Sequence, residues 1–426
     1  MRNTISYSSE VLLVEGGTEL KGSVRVSGSK NAALPIMFAS MLTEETCRIR
    51  NVPDLLDVRN TCTLLKMLGV EIKREGERVA LDGKGVRRWE TPKEIVRRMR
   101  ASILSMGPLL ARFRRARVAL PGGCSIGPRP IDQHLKFFSS AGASVLVKEG
   151  YVSLEIKKKK PVEFSFDIVT VTGTENALLY LSGVEGRSVL KNIALEPEVM
   201  DLVSVLTQMG ARINVEGRTA VIEGRGELGG FEHRIIPDRI EAGTFMVAGA
   251  ITGGEIVLED VELSHMGAVV EKLEEAGISV EALKPSRVRV RRKGELKPLE
   301  LKTSEYPGFP TDMQAQFMAM LSLTRGRSVI HESIFENRFQ HAKELVKMGA
   351  CIRVVGRSAF IEGREELVGT EVISTDLRAS ASLVLAGLVA RGTTLIKNVH
   401  HLDRGYENLE KKLRKLGARI YRLPLS

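Results

Sequence analysis

Residues 64–72 read LLKMLGVEI: the apolar edge of a helix runs into Gly69, and alternating apolar and charged residues follow. Glycine in that place predicts a left-handed helix stop, and the residues after it predict a strand. The pattern recurs five times, as FFSSAGASV (137–145), LTQMGARI (206–213), LEEAGISV (273–280), LVKMGACI (345–352) and LRKLGARI (413–420). The six glycines, at 69, 142, 210, 277, 349 and 417, follow one another at steps of 73, 68, 67, 72 and 68 residues. A repeat near 70 residues is longer than a solenoid unit of roughly 20 to 50 and suits a small αβ subdomain. Six subdomains divide naturally as three and three. A chain of 426 residues with 43% hydrophobic content also exceeds one core, which rarely grows past about 250 to 300 residues. Two domains are expected.

A second helix lies within each repeat and differs in kind. The segments start at Lys30 (KNAALPIMFASML), Arg100 (RASILSMGPLLA), Thr172 (TGTENALLYLSG), Asp238 (DRIEAGTFMVAGA), Thr311 (TDMQAQFMAMLSL) and Asp376 (DLRASASLVLAG). Each begins polar or charged and then turns apolar on nearly every side, as a buried helix does. The outer helices are amphipathic, as at 407–416. Strands such as GRSVLKNI (186–193), GEIVLEDV (254–261), GRSVIHES (326–333) and GTTLIKNV (392–399) follow the buried helices. The expectation is an α/β fold with helices inside and sheets outside, three subdomains to a domain.

That arrangement has an electrostatic consequence. Three parallel buried helices in each of two facing domains would aim six N-termini into one cleft, each with a partial positive charge and unsatisfied N–H donors. Such a cleft attracts anions. At the six starts stand Lys30 with Asn31, Arg100, residues 172–175, Asp238 with Arg239, Asp312, and Asp376 with Arg378. An Asp or Thr at a helix start is a cap more often than a catalyst. A cation there is locally unfavourable, so Lys30, Arg100, Arg239 and Arg378 read as answering an anion bound from outside. The stretch 121–130, PGGCSIGPRP, adds a thiol. No helix or strand runs through prolines and glycines so spaced. Cys124 is therefore expected on a shaped loop, where nearby cations favour the thiolate and proton exchange near neutral pH; the plainer alternative is an inert, small apolar side chain.

The net charge of +11 fits anionic small molecules. Lysine runs such as 157–160 flank Gly and Pro and read as solvated loops. Aromatics make up 5% of the chain and do not interleave with the basic runs, which argues against a nucleic-acid stacking surface. Cysteines 47, 62, 124 and 351 show neither CxxC pairing nor companion histidine spacing, so no metal site or disulfide framework is suggested. The start, MRNTISYSSE, lacks a secretory pattern, and the longest apolar runs are too short to span a bilayer. A cytoplasmic location without membrane contact is expected.

Eight stretches carry a resemblance: SGSKNAALPI (27–36), MRASI (99–103), PGGCSIGPRP (121–130), PDRIEAGTF (237–245), FPTDMQAQF (309–317), FENRF (335–339), TDLRASASLVLAG (375–387) and HLDRGYENLE (401–410). In kind and order they resemble the UDP-N-acetylglucosamine 1-carboxyvinyltransferases, the enolpyruvyl transferases of peptidoglycan synthesis, from about Val14 to the C-terminus. The resemblance implies an inside-out α/β barrel of two domains, built from six βαβ-type repeats with pseudo-threefold symmetry in each domain. Residues 30–237, with the Cys124 loop, would form one domain. Residues 1–29 and 238–426 would form the other, with the active site in the cleft between them.

The implied reaction adds the 3′-hydroxyl of UDP-N-acetylglucosamine to C2 of phosphoenolpyruvate and protonates C3; the tetrahedral ketal then expels phosphate to leave an enolpyruvyl ether. A phosphate and a carboxylate on one small substrate call for several fixed cations, and the double bond calls for an acid at C3 and a base at the hydroxyl. By the resemblance, Cys124 protonates C3. Lys30, Arg129 and Arg404 clamp phosphoenolpyruvate, with Asn31 and Arg378 nearby and Asp376 orienting the clamp. Asp312 meets the 3′-hydroxyl as base or proton acceptor. The nucleotide sugar falls to Arg100, to Arg129, Pro130, Ile131, Asp132 and Gln133, to Thr170, Val171, Thr172 and Gly173, and to the backbone near Ile334. Some family members carry Lys ahead of the third buried helix; Ile168 stands here, so no lysine contact is carried over. The resemblance implies no cofactor or metal, a monomer, and a Gly- and Pro-rich loop that closes over bound substrate. Two other readings remain: the sister enzyme acting on 3-phosphoshikimate, which has no use for the PGGC loop, and a basic RNA-binding protein.

Overall fold

The computed structural model describes residues 10–96, 99–120 and 130–424. Cys124, Arg129 and the expected loop closure lie outside the described residues. Two compact units emerge. Among the described residues, one comprises 28–96, 99–120 and 130–236; the other comprises 10–27 and 237–424. Each has its own hydrophobic core.

All six repeat glycines adopt the left-handed conformation, with φ between 89° and 114°. At Gly69, for example, the helix Leu56–Leu68 ends, and the Gly69 N–H closes onto Leu65 and Lys66. Val58, Thr61, Leu64, Leu65 and Leu68 form the buried stripe of that helix. The strand Glu71–Glu75 then starts an antiparallel hairpin with Arg78–Asp82.

Among the described residues there are six sheets, three in each unit. In the unit containing residues 28–236 the strand orders are 232–234, 46–50, 78–82, 71–75; then 212–216, 219–224, 186–191, 163–165; and a three-stranded sheet 115–119, 151–155, 144–148. In the other unit they are 371–373, 393–397, 10–15, 419–424; then 278–284, 287–292, 255–259, 21–25; and 300–302, 327–331, 358–362, 351–355. Hairpins such as 71–75 with 78–82 supply some of the antiparallel pairs, and strands distant in sequence supply others, as 10–15 between 393–397 and 419–424. Short strands join in parallel, as Glu163–Ser165 beside Gly186–Lys191, Glu300–Lys302 beside Arg327–His331, and Glu371–Ile373 beside Thr393–Lys397. Each of those parallel pairs is bridged by a buried helix. No sheet among the described residues closes on itself. Three or four strands are too few for closure, which takes about eight even in a small barrel, so the expected barrel is corrected to a set of separate open sheets in a mixed α/β fold.

The buried helices begin at the predicted segments, with two differences. Lys30–Ala39, Val171–Ser182, Arg239–Ile251 and Leu377–Val389 are continuous. The segment from Arg100 instead runs as a 3₁₀ helix, Arg100–Ser105, before the α-helix Met106–Phe113. Pro108 explains this: its ring clashes with the carbonyl four residues earlier, so it is accommodated in the first turn and the α-helix begins just before it. The segment from Thr311 likewise opens with a 3₁₀ turn, Thr311–Met313, ahead of Gln314–Leu321. In the 237–424 unit the helices Arg239–Ile251, Gln314–Leu321 and Leu377–Val389 pack on one another. Small residues permit that approach: a Cβ on Gly243 would lie 2.8 Å from the Met313 side chain. Among the described residues, no helix is long and apolar enough to cross a membrane.

Candidate active site

In the 237–424 unit the helix starts assemble a polar knot around Asp312. The 3₁₀ turn Thr311–Met313 presents Asp312, whose side chain keeps 27% of its surface exposed. Arg338 donates from Nη2 to Asp312 Oδ1 at 2.7 Å, and Arg378 donates from Nη2 to Oδ2 at 2.8 Å. Both arginine side chains are buried, at 6% and 5% exposure. Burial works against the charge of Arg378, but Asp312 outweighs it and holds the guanidinium above its ordinary range. Arg378 Nη1 also donates to the Tyr406 hydroxyl at 3.2 Å. That hydroxyl lies 2.9 Å from Thr244 Oγ1, and Gln316 Nε2 reaches both of them and the Asp312 carbonyl. Burial first of all pushes the Tyr406 phenol up, so it stays neutral and hydrogen-bonds as a hydroxyl.

Arg378 owes its position to a cap. Asp376 precedes the helix Leu377–Val389 and its Oδ1 accepts from the Arg378 and Ala379 N–H groups, at 2.9 and 3.1 Å. Arg404 ends the 3₁₀ helix Val399–Arg404. His401, in the same turn, has its pKa pushed down to about 4 by burial, then by His400 and Arg404, against the pull of Asp376. Arg404 and Asp376 thus lie within electrostatic reach of the same ring. Ile334 has its N–H committed to the Glu332 carboxylate at 2.9 Å.

In the 28–236 unit Lys30 opens the helix Lys30–Ala39, with Asn31 next. Its Nζ lies 3.2 Å from Oδ2 of Asp57, a carboxylate whose side chain is only 4% exposed. Arg100 Nη2 donates to the Pro130 carbonyl at 3.4 Å, joining two of the predicted sugar-binding positions. Ile131 precedes the helix Asp132–Ser140. The Gln133 amide is engaged by the protein itself: Nε2 donates to Asp132 and Asp167, and Oε1 accepts from the Asp167 N–H. Thr170 caps the helix Val171–Ser182 through the Gly173 N–H. Thr172 Oγ1 lies 3.2 Å from Nε2 of the buried His134.

Sequence reasoning missed Arg338, Asp57, Tyr406, Glu332 and His134. Arg338 lay inside the quoted FENRF stretch. Asp57 carried no local signal, because it reaches Lys30 from the first turn of an ordinary outer helix.

The family model described as EPSP synthase (3-phosphoshikimate 1-carboxyvinyltransferase) matches residues 14–413. The chain is 49% identical over 413 residues to the UDP-N-acetylglucosamine 1-carboxyvinyltransferase of Geotalea uraniireducens (strain Rf4), an alignment covering 97% of this chain and 99% of that one. It is 50% identical over 412 residues to the protein of the same name from Desulfovibrio desulfuricans, covering 96% and 99%. Among solved structures, the enolpyruvyl transferase NikO from Streptomyces tendae superposes with a TM-score of 0.90 at 27% identity, over 98% of this chain and 100% of that one. EPSP synthase from Acinetobacter baumannii shares the fold, with a TM-score of 0.77 at 20% identity over 98% and 100%. With sequence, fold and a cation-rich set of helix starts in agreement, the chain belongs to the enolpyruvyl transferases of the EPSP synthase family, among the UDP-N-acetylglucosamine 1-carboxyvinyltransferases.

Proposed function

We propose that the protein transfers the enolpyruvyl group of phosphoenolpyruvate to the 3′-hydroxyl of UDP-N-acetylglucosamine and releases phosphate, the step that commits the sugar to peptidoglycan precursor synthesis. The observation that carries the reading is Asp312, a partly exposed carboxylate fixed by two buried guanidiniums at the start of a buried helix. A carboxylate oxygen can accept more than one hydrogen bond, so we read Asp312 as accepting the 3′-hydroxyl alongside its arginine contacts, orienting its oxygen toward C2 and taking its proton. Cys124 delivers a proton to C3. Elimination then returns a proton from C3 and expels phosphate from C2, leaving the enol ether.

The cations fit the anionic donor. Lys30, Arg129 and Arg404 meet the phosphate and carboxylate, Asn31 and Arg378 stand beside them, and Asp376 orients the group. Fixed charges are worth most where water is excluded, and our reading keeps the active site in a cleft between a domain of 30–237 and one of 1–29 with 238–426. The sugar nucleotide is held by Arg100, Arg129 to Gln133, Thr170 to Gly173, Asp312 and the Ile334 backbone. Three sheets and their buried helices in each unit support a pseudo-threefold set of βαβ repeats, sheets outside. The protein acts as a cytoplasmic monomer on small molecules, without nucleic acid.

The test is phosphate release from phosphoenolpyruvate with UDP-N-acetylglucosamine, with shikimate 3-phosphate or with no acceptor. Release with the UDP-sugar alone is expected. Release with the shikimate ester alone moves the chain to the sister activity, and silence with both removes the functional reading.

A further inference from the structure

Glu332 has no part in the chemistry above, yet it is one of the most heavily bonded side chains in its unit. It is 1% exposed. Oε1 accepts from Thr303 Oγ1 at 2.9 Å and from the Ile334 and Phe335 N–H groups at 2.9 and 3.1 Å; Oε2 accepts from Thr311 Oγ1 at 2.8 Å. These donors come from three separate segments: the end of the strand Glu300–Lys302, the turn Thr311–Met313 and the loop that leads to Arg338. All four are neutral. A buried carboxylate bonded to hydroxyls and amides is costly to desolvate, and a loop tie alone does not require a charge. What the charge adds is shorter, stronger and more directional hydrogen bonding.

The geometry points to a specific use for that stiffness. Thr311 is the residue before Asp312, and Ile334 and Phe335 open the loop that ends at Arg338, whose guanidinium holds Asp312 Oδ1 and lies 5.4 Å from the Phe335 ring. The loop is fixed from the other side as well: the Ser333 N–H donates to Thr303 Oγ1, and Arg357 Nη1 donates to the Ser333 carbonyl. Asp312 is therefore held in front by two arginines and behind, through Thr311, by Glu332. We propose that Glu332 is a positioning residue for the transfer reaction, setting the orientation of the Asp312 carboxylate through Thr311 and the placement of Ile334 through its amide.

This rests on the reading of Asp312 as the group that meets the acceptor hydroxyl. A rear tie that is lost lets the carboxylate turn with its arginines, and a misplacement of about 1 Å at a reacting group costs on the order of 100-fold in rate.

Thr311→Val removes one donor while keeping side-chain volume, and Thr311→Ser keeps the hydroxyl. The Val variant is expected to lose roughly 10- to 100-fold in kcat with its KM for phosphoenolpyruvate unchanged, and the Ser variant to recover most of the loss. Glu332→Gln should fall in the same direction. A double-mutant cycle separates positioning from general damage: calorimetric binding of UDP-N-acetylglucosamine weakens on Thr311→Val in the wild-type background and hardly at all in the Asp312→Asn background, because the tie acts through Asp312. Equal weakening in both backgrounds, or a Val variant with wild-type kcat, overturns the proposal. A wild-type protein that neither binds nor turns over the UDP-sugar fails the functional reading instead, and this cycle would then show no effect in either background, which overturns the positioning role for that acceptor.

Discussion

His134 shows how one buried side chain ties stability to pH. It is 3% exposed, and its tautomer is fixed by its neighbours. Asn176 Oδ1 accepts from the Gly107 N–H, so its Nδ2 faces the Ile103 carbonyl and His134 Nδ1 as a donor. Nε2 must then carry the proton and donate to Thr172 Oγ1. Burial, with a smaller push from Arg100, drives the pKa of the ring down to about 3. An unfolded chain takes up this proton near pH 6.5. Between those values the unfolded state binds more protons, so the contribution is complete above about 6.5 and is lost as pH falls toward 3. Each pH unit in that window costs about 1.4 kcal/mol. We expect Tm to fall less steeply from pH 6.5 to 4 in His134→Gln than in wild type; parallel curves would show that His134 does not titrate on unfolding. Cys124 supplies a residue-scale test of the chemistry. Cys124→Ser should abolish turnover and escape inactivation by fosfomycin, an epoxide phosphonate that mimics phosphoenolpyruvate, and a Ser variant still inactivated by that compound excludes the thiol as the reacting group.

At the scale of elements, the first turn of each buried helix must satisfy backbone N–H groups and present chemistry in the same few residues. Asp376 does both. Replacing it with Ala removes the acceptor for two N–H groups and should cost about 1 to 2 kcal/mol, read from the denaturant midpoint. Asp376→Asn keeps a capping oxygen and should stay within a few tenths of wild type, while turnover falls in both variants because the charge felt by His401 is gone. An Ala variant as stable as wild type would show that the cap carries no weight. Tyr406→Phe should destabilise by about 1 to 3 kcal/mol, since Arg378, Gln316 and Thr244 would each lose a buried partner; an unchanged midpoint would mean that water replaces the hydroxyl. These contacts also explain what was legible in the chain. Helix stops are local events, and glycine declared all six of them. Burial of the inner helices was legible because a helix apolar on every side has no other place to go. The 3₁₀ openings at Arg100 and Thr311 were not, since apolar periodicity does not distinguish one helical pitch from another over six residues or fewer. Asp312 and Arg378 stood out as polar residues opening apolar helices. Asp57 and Glu332 reach their partners from elements with no unusual local pattern, Arg338 and Tyr406 lay inside the FENRF and HLDRGYENLE stretches with nothing local to name their partners, and only the folded chain brings each to its contacts.

For the whole molecule, the decisive fact is the division of cations between two units with separate cores. Lys30 and Arg100 belong to one unit, Arg378 and Arg404 to the other. In the proposed clamp, the phosphate and carboxylate of phosphoenolpyruvate draw on Lys30 from one unit and Arg404 from the other. The UDP-sugar is larger and its proposed contacts also draw on both units, Arg100 and Thr172 on one side and Asp312 and Ile334 on the other. Binding energy from the nucleotide, remote from the reacting carbons, is thus available to drive closure before the three-carbon donor is fixed. Among the described residues the chain passes between the units at residues 27–28 and 236–237. We therefore expect small-angle scattering to show a smaller radius of gyration when saturating UDP-N-acetylglucosamine is added, and no comparable change with phosphoenolpyruvate alone. A radius unchanged by the sugar nucleotide would mean that the units already stand at their working separation, and that the cations meet the donor without a closing step.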